Sequence, residues 1–128
     1  MKYFCSILII MLMAFYLKAE TGHQLWLRHS KAKPVNVVTK SNSPLISLAK
    51  DELQKGWNGT DGATIELIVK EDKAIRGDGF RITPTSIRAN TENGILYGVY
   101  EMIRRQYTRQ SINEEVCNPS FNLRILNH

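Results

Sequence analysis

Six carboxylates stand in adjacent pairs, Asp51-Glu52, Glu71-Asp72 and Glu114-Glu115. Two carboxyl groups facing one another could serve as general acid and general base in a hydrolysis. Adjacency works against that use: neighbours on a helix point about 100° apart, and the second and third pairs fall in polar connections. All three pairs are expected to be solvated surface. His23 and His29 flank a short strand with no cluster of further ligands around them, so no metal site is expected. No Ser/His/Asp arrangement, phosphate-binding glycine loop or dinucleotide fingerprint occurs, and no cofactor is expected. Asn58-Gly59-Thr60 matches a glycosylation sequon and equally suits the stop of a helix.

The start of the chain reads as a secretory signal over residues 1–19. Lys2 gives a positive start, residues 6–16 form an apolar run, and Leu17-Lys18-Ala19 puts a small residue before Glu20. The run is shorter than the roughly 20 residues that cross a bilayer as a helix. A secreted or periplasmic location is therefore expected, with no stable membrane association after cleavage; Lys18 beside the cut keeps an uncleaved anchor as the alternative. Cys5 lies in the signal, which leaves Cys117 as the one mature cysteine and no internal disulfide. With no basic residue close in sequence, its thiol reads as a half-buried bystander rather than a nucleophile. The whole chain carries a net +5, and removing Lys2 and Lys18 leaves +3. Its basic side chains are scattered, so a nucleic-acid partner is not expected. The densest group, Arg104, Arg105 and Arg109, falls at the end of an expected helix, where cations meet the negative dipole end, and reads as structural.

The elements that would position any site follow from spacing. Residues 24–28 and 35–38 read as short strands. Ser43 can cap a helix with Pro44 at its first position; Leu45, Leu48, Ala49, Glu52 and Leu53 form its stripe, Trp57 extends it, and Asn58-Gly59 ends it. Residues 64–69 form the clearest strand, with Ile65, Leu67 and Val69 on one face. Gly77-Asp78-Gly79 signals a turn, and residues 80–82 and 86–89 read as a hairpin around Pro84. A second helix begins after Asn90 or Thr91, with Ile95, Leu96, Val99, Tyr100, Met102, Ile103 and Tyr107 as a broad apolar stripe. Gly94 and Gly98, four apart, would let it lie close to a strand. Trp26, Trp57, Tyr97, Tyr100 and Tyr107 mostly fall on core-facing stripes. Residues 108–120 read as a linker, and residues 121–126 as a further strand. The expected class is α/β (α+β), a small mixed β-sheet with two packed helices.

Residues 78–106 resemble the end of the small domain that precedes the (β/α)8 barrel in β-hexosaminidases and α-glucuronidases. The matching features are the Gly79-Phe80-Arg81-Ile82 and Ile87-Arg88-Ala89 strands and Gly94-Ile95-Leu96-Tyr97-Gly98 opening a helix. Gly22-His23-Gln24-Leu25-Trp26-Leu27-Arg28 is similar to the opening of the family 67 α-glucuronidases, and Leu123-Arg124-Ile125-Leu126-Asn127-His128 to the segment with which that family enters its barrel.

The resemblance implies a domain at residues 20–120 and the start of a catalytic barrel at 121–128. It implies a parent enzyme that hydrolyses α-1,2-linked glucuronic acid, or its 4-O-methyl ether, from xylan-derived oligosaccharides with inversion. No catalytic residue is expected in this chain, and the domain would pack on the parent's barrel. Asn127 and His128 would lie at the carboxyl end of the first barrel strand, on the substrate-binding face. The alternative is a free-standing secreted carbohydrate-binding or scaffold module without enzyme activity.

Overall fold

The computed structural model describes residues 31–120. The signal, the strand at 24–28, both candidate histidines, the strand at 121–126, and Asn127 and His128 lie outside the described residues. Within them the elements are β1 (Val35–Thr39), α1 (Pro44–Gly56), β2 (Ala63–Val69), β3 (Phe80–Ile82), β4 (Ser86–Ala89), α2 (Glu92–Tyr107) and β5 (Glu115–Cys117). The strands form one sheet in the order β1-β2-β4-β3-β5. β1, β2 and β4 run parallel, and β3 is antiparallel to both β4 and β5. This is the expected small mixed sheet with two helices, an α+β fold.

Local chemistry sets most of these elements. Parallel β1 and β2 need a crossover, which α1 supplies. Ser43 caps α1 by accepting a hydrogen bond from the Ile46 amide at 3.2 Å, with Pro44 preset for the first turn. The β3–β4 hairpin turns through Thr83-Pro84-Thr85-Ser86. The Thr83 amide donates to the Ser86 carbonyl at 2.9 Å, and Thr83 Oγ1 accepts from the Ser86 amide at 2.9 Å. Pro84 fixes the second position of that turn.

The buried face of α1 differs from the expected one. Ile46, Ala49, Leu53 and Gly56 point inward, with Trp57 after them, while Leu48 is 43% exposed. Periodicity offers two overlapping stripes here, and Glu52 decides between them. The Leu45-Leu48-Glu52 stripe would take a carboxylate into the core, at a cost the other stripe avoids. Gly56 also matters, because a Cβ there would stand 2.8 Å from Ile103 Cδ1 on α2. The helix ends at Gly56, ahead of Asn58-Gly59. Trp57 caps it in an extended conformation, with its buried indole N–H donating to the Thr60 carbonyl at 2.9 Å.

Thr91 opens α2 by accepting from the Gly94 amide at 3.1 Å, and its own hydroxyl donates to Asp78 Oδ1 at 2.7 Å. Ile95, Val99, Met102 and Ile103 are buried beneath the helix. Gly94 and Gly98 give the close approach expected of them. A Cβ at Gly94 would stand 2.6 Å from the Gly79 carbonyl oxygen and 2.7 Å from Ala89 Cβ, and one at Gly98 would run into Ile87 Cγ2. Helix backbone thus rests almost directly on the β3–β4 hairpin.

The stretch expected to be a linker contains β5. Arg109, at φ 56°, ends α2 in the left-handed region, and Glu115-Val116-Cys117 then pairs with β3. Three residues are too few to show a period, and the neighbouring acids give the segment a loop-like composition. β2 holds one further difference: Ile65 and Leu67 are buried as expected, but Val69 at the strand end is 40% exposed.

Gly94→Ala should cost about 2–3 kcal/mol through overpacking against backbone, offset by roughly 1 kcal/mol of helix propensity gained, a net loss of about 1–2 kcal/mol. The check is the urea midpoint at unchanged m-value, and an unshifted midpoint would mean that α2 can retreat from the hairpin at no cost.

Candidate functional site

Charged side chains converge in two places, one on each face of the sheet. On the face away from the helices, strand alternation turns Arg81 outward between buried Phe80 and Ile82. Its Nε and Nη2 donate to Asp72 Oδ2 at 3.0 and 2.8 Å, and its Nη1 donates to Glu114 Oε1 at 3.1 Å. Asp72 lies in the connection from β2 to β3, which two asparagines tie down. Asn90 accepts from the Asp72 amide at 2.7 Å and donates to the Ile75 carbonyl at 2.9 Å. Asn118 accepts from the Arg76 amide at 2.8 Å and donates to the Ala74 carbonyl at 3.0 Å. The Ala74 amide, bonded to Asp72 Oδ1 at 2.9 Å, and then the Arg81 guanidinium hold the Asp72 carboxyl below its usual range. An acid kept ionised in this way has no proton to give at neutral pH.

On the helix side, Glu101 accepts from Arg104 Nε at 2.8 Å and from Arg105 Nε at 2.7 Å. Arg105 Nη2 continues to Glu115 Oε2 at 2.8 Å, which ties α2 to β5. Arg104, then Arg105, holds the Glu101 carboxyl low, and these hydrogen bonds raise both arginines above the ordinary guanidinium value. Both cations are thus engaged by carboxylates of the chain itself. Cys117 gains a basic neighbour that sequence distance concealed, since Arg105 Nη2 lies 3.9 Å from its sulfur. Burial, followed by the Glu115 charge, nonetheless pushes the thiol up, so it stays protonated and a poor nucleophile at neutral pH.

The adjacent acids are therefore less uniform than expected. Asp51 and Glu71 are exposed, whereas Asp72, Glu114 and Glu115 each hold an arginine. Glu52 sits beside Tyr100, whose hydroxyl is raised by burial and then by that charge. Among the described residues, no group of three or more His, Cys, Asp or Glu is arranged to hold a metal ion, and no helix is long and apolar enough to cross a membrane. The sequon stretch does structural work: the Asn58 amide donates to Gln106 Oε1 at 2.9 Å, and a Cβ at Gly59 would stand 2.5 Å from the Trp57 ring.

Both helices lie on the same side of the sheet, joined at Gly56 and Ile103. The crevice that open α/β sheets use for ligands needs helices on opposite faces at a reversal of strand order, and β1, β2 and β4 do not provide it. Aromatic exposure is the feature that sequence reasoning missed. Trp57 is buried as expected, but Tyr97 and Tyr100 are 44% and 45% exposed on α2. The signal was available in the helical period, because a stripe centred on Ile95, Val99 and Met102 puts residue 97 on the far side.

No family model, curated protein or solved structure matches the chain.

Stability should fall in acid for a definable reason. The folded-state pKa values of Asp72 and Glu101 are depressed, so both contribute stability above their unfolded values near 4, and this is lost as pH falls through the lower folded values. Glu101→Gln should therefore destabilise the protein at pH 7 and much less at pH 3. Urea denaturation at the two pH values measures this, and an equal deficit at both would contradict it.

Proposed function

We propose that the chain is the non-catalytic amino-terminal domain of a secreted xylan α-1,2-glucuronidase resembling family 67. The observation that carries this reading is the union of motif and packing. Gly94-Ile95-Leu96-Tyr97-Gly98, the core of the resemblance, is also the segment by which α2 rests on the β3–β4 hairpin. The support lies in a sequence pattern that coincides with a steric demand of the fold.

In this reading, residues 20–120 pack on the parent's (β/α)8 barrel and position its first strand, with Asn127 and His128 at that strand's carboxyl end toward substrate. The catalytic acid and base, roughly 6.5–9.5 Å apart for inversion, belong to later barrel strands. One observation favours the second reading, a free-standing carbohydrate-binding or scaffold module: Tyr97 and Tyr100 offer exposed rings on one helix.

The experiment is a comparison on xylan-derived aldouronic oligosaccharides. The chain alone should release no glucuronic acid, whereas the coding frame continued past His128 should yield a protein that releases it with inversion. Absence of release from the continued protein contradicts the first reading. Oligosaccharide binding by the chain alone that disappears in Tyr97→Ala/Tyr100→Ala would establish the second.

A further inference from the structure

The sheet has one face under the helices and one without a cover among the described elements. Strand alternation puts Val38, Glu66, Ile68, Arg81, Arg88 and Val116 on the second. The registers order them in rows. Ile68, Arg88, Arg81 and Val116 lie opposite one another across β2, β4, β3 and β5, and Val38 and Glu66 lie opposite one another in the adjoining row. Val38 is 44% exposed.

The charges on this face are not equivalent. Arg81 is neutralised by Asp72 and Glu114. Glu66 and Arg88 carry no side-chain hydrogen bond or ion pair among the described residues, and Arg88 stands directly opposite the already neutralised Arg81. Glu66 and Arg88 stand on adjacent strands and two residues apart, a diagonal of about 7–8 Å. Long side chains can span that diagonal, yet the two form no ion pair with each other. The same diagonal makes the pair self-complementary. A two-fold axis lying in the plane of contact and passing between them would set Glu66 of each copy over Arg88 of the other, with Val38 and Ile68 beside both ion pairs.

We propose that this open face is an isologous interface between two copies of the chain, closed by reciprocal Glu66–Arg88 ion pairs. Two-fold contacts use the same patch twice, so residue i meets j and j meets i, and faces stacked as in a sandwich lie about 10 Å apart. A face of five short strands is smaller than the roughly 800 Å² per partner of a standard interface. Association is therefore weak and depends on concentration. The interface does not rest on the glucuronidase reading.

Sedimentation equilibrium of the whole chain over a range of concentrations tests the proposal. Wild type should show a monomer–dimer equilibrium, and Glu66→Arg and Arg88→Glu should each weaken it at least tenfold. Mixing the two single variants, or combining both reversals in one chain, should restore it. All variants share the first thirty residues, so association through those residues would respond to neither substitution, and restoration in the double variant shows that the reversals left the fold intact. A monomer at every concentration overturns the proposal. So does self-association that neither reversal weakens, or a loss that neither the mixture nor the double variant restores.

Discussion

The described fold depends on a contact made by the absence of side chains. Gly94 and Gly98 let the backbone of α2 come down on β4 and on the start of β3, to distances at which a single added carbon meets Gly79, Ala89 or Ile87. Interiors are packed too tightly to absorb such an atom without movement. Once α2 lies that low, Ile95, Val99 and Met102 reach the sheet, and Ile103 reaches the space left by Gly56 on α1. The two helices then share one layer, and among the described elements only one face of the sheet is covered. The turn before β3 is fixed from the same place, because the Thr91 hydroxyl that caps α2 also holds Asp78.

Electrostatics secures the margins of this core. Arg81 joins the β2–β3 connection to the approach to β5, and Arg105 joins α2 to β5. β5 is only three residues long and contributes little burial of its own, so these bonds and the Asn118 bridges to the connection keep it in register. Exposed ion pairs are individually worth little. The partly buried ones here matter more for where they hold the chain than for how much energy they add. Arginine engagement also helps hold the Asp72 and Glu101 carboxyls below their usual range.

Much of the fold was legible in the sequence because its signals were local and steric. Ser43-Pro44, Thr91, the alternation of Ile65 and Leu67, and the turn at Pro84 each state their structure within a few residues. The glycine pair was legible for the same reason, since spacing of four on a helix has few other uses at a sheet surface. What could not be read was relational. The inward face of α1 was decided by Glu52 and by Gly56 meeting Ile103, β5 by a partner more than thirty residues away, and the neighbour of Cys117 by the docking of α2. Tyr97 and Tyr100 went unrecognised as surface because apolar residues lie on both sides of the true stripe. The candidate substrate residues Asn127 and His128 rest on resemblance to a family, and the described residues add nothing to their case.

Among the described residues, the sheet carries a helical layer on one side and Glu66 and Arg88 on the other, with Asp72, Glu101, Glu114 and Glu115 held by arginines. The central claim is that α2 touches the hairpin through glycine backbone. Nuclear Overhauser spectroscopy on the labelled chain measures that contact directly. Strong cross-peaks between the Gly98 α-protons and the Ile87 γ2-methyl, and between the Gly94 α-protons and the Ala89 methyl, are the expected result. Their absence in a folded, well-dispersed spectrum would contradict the account.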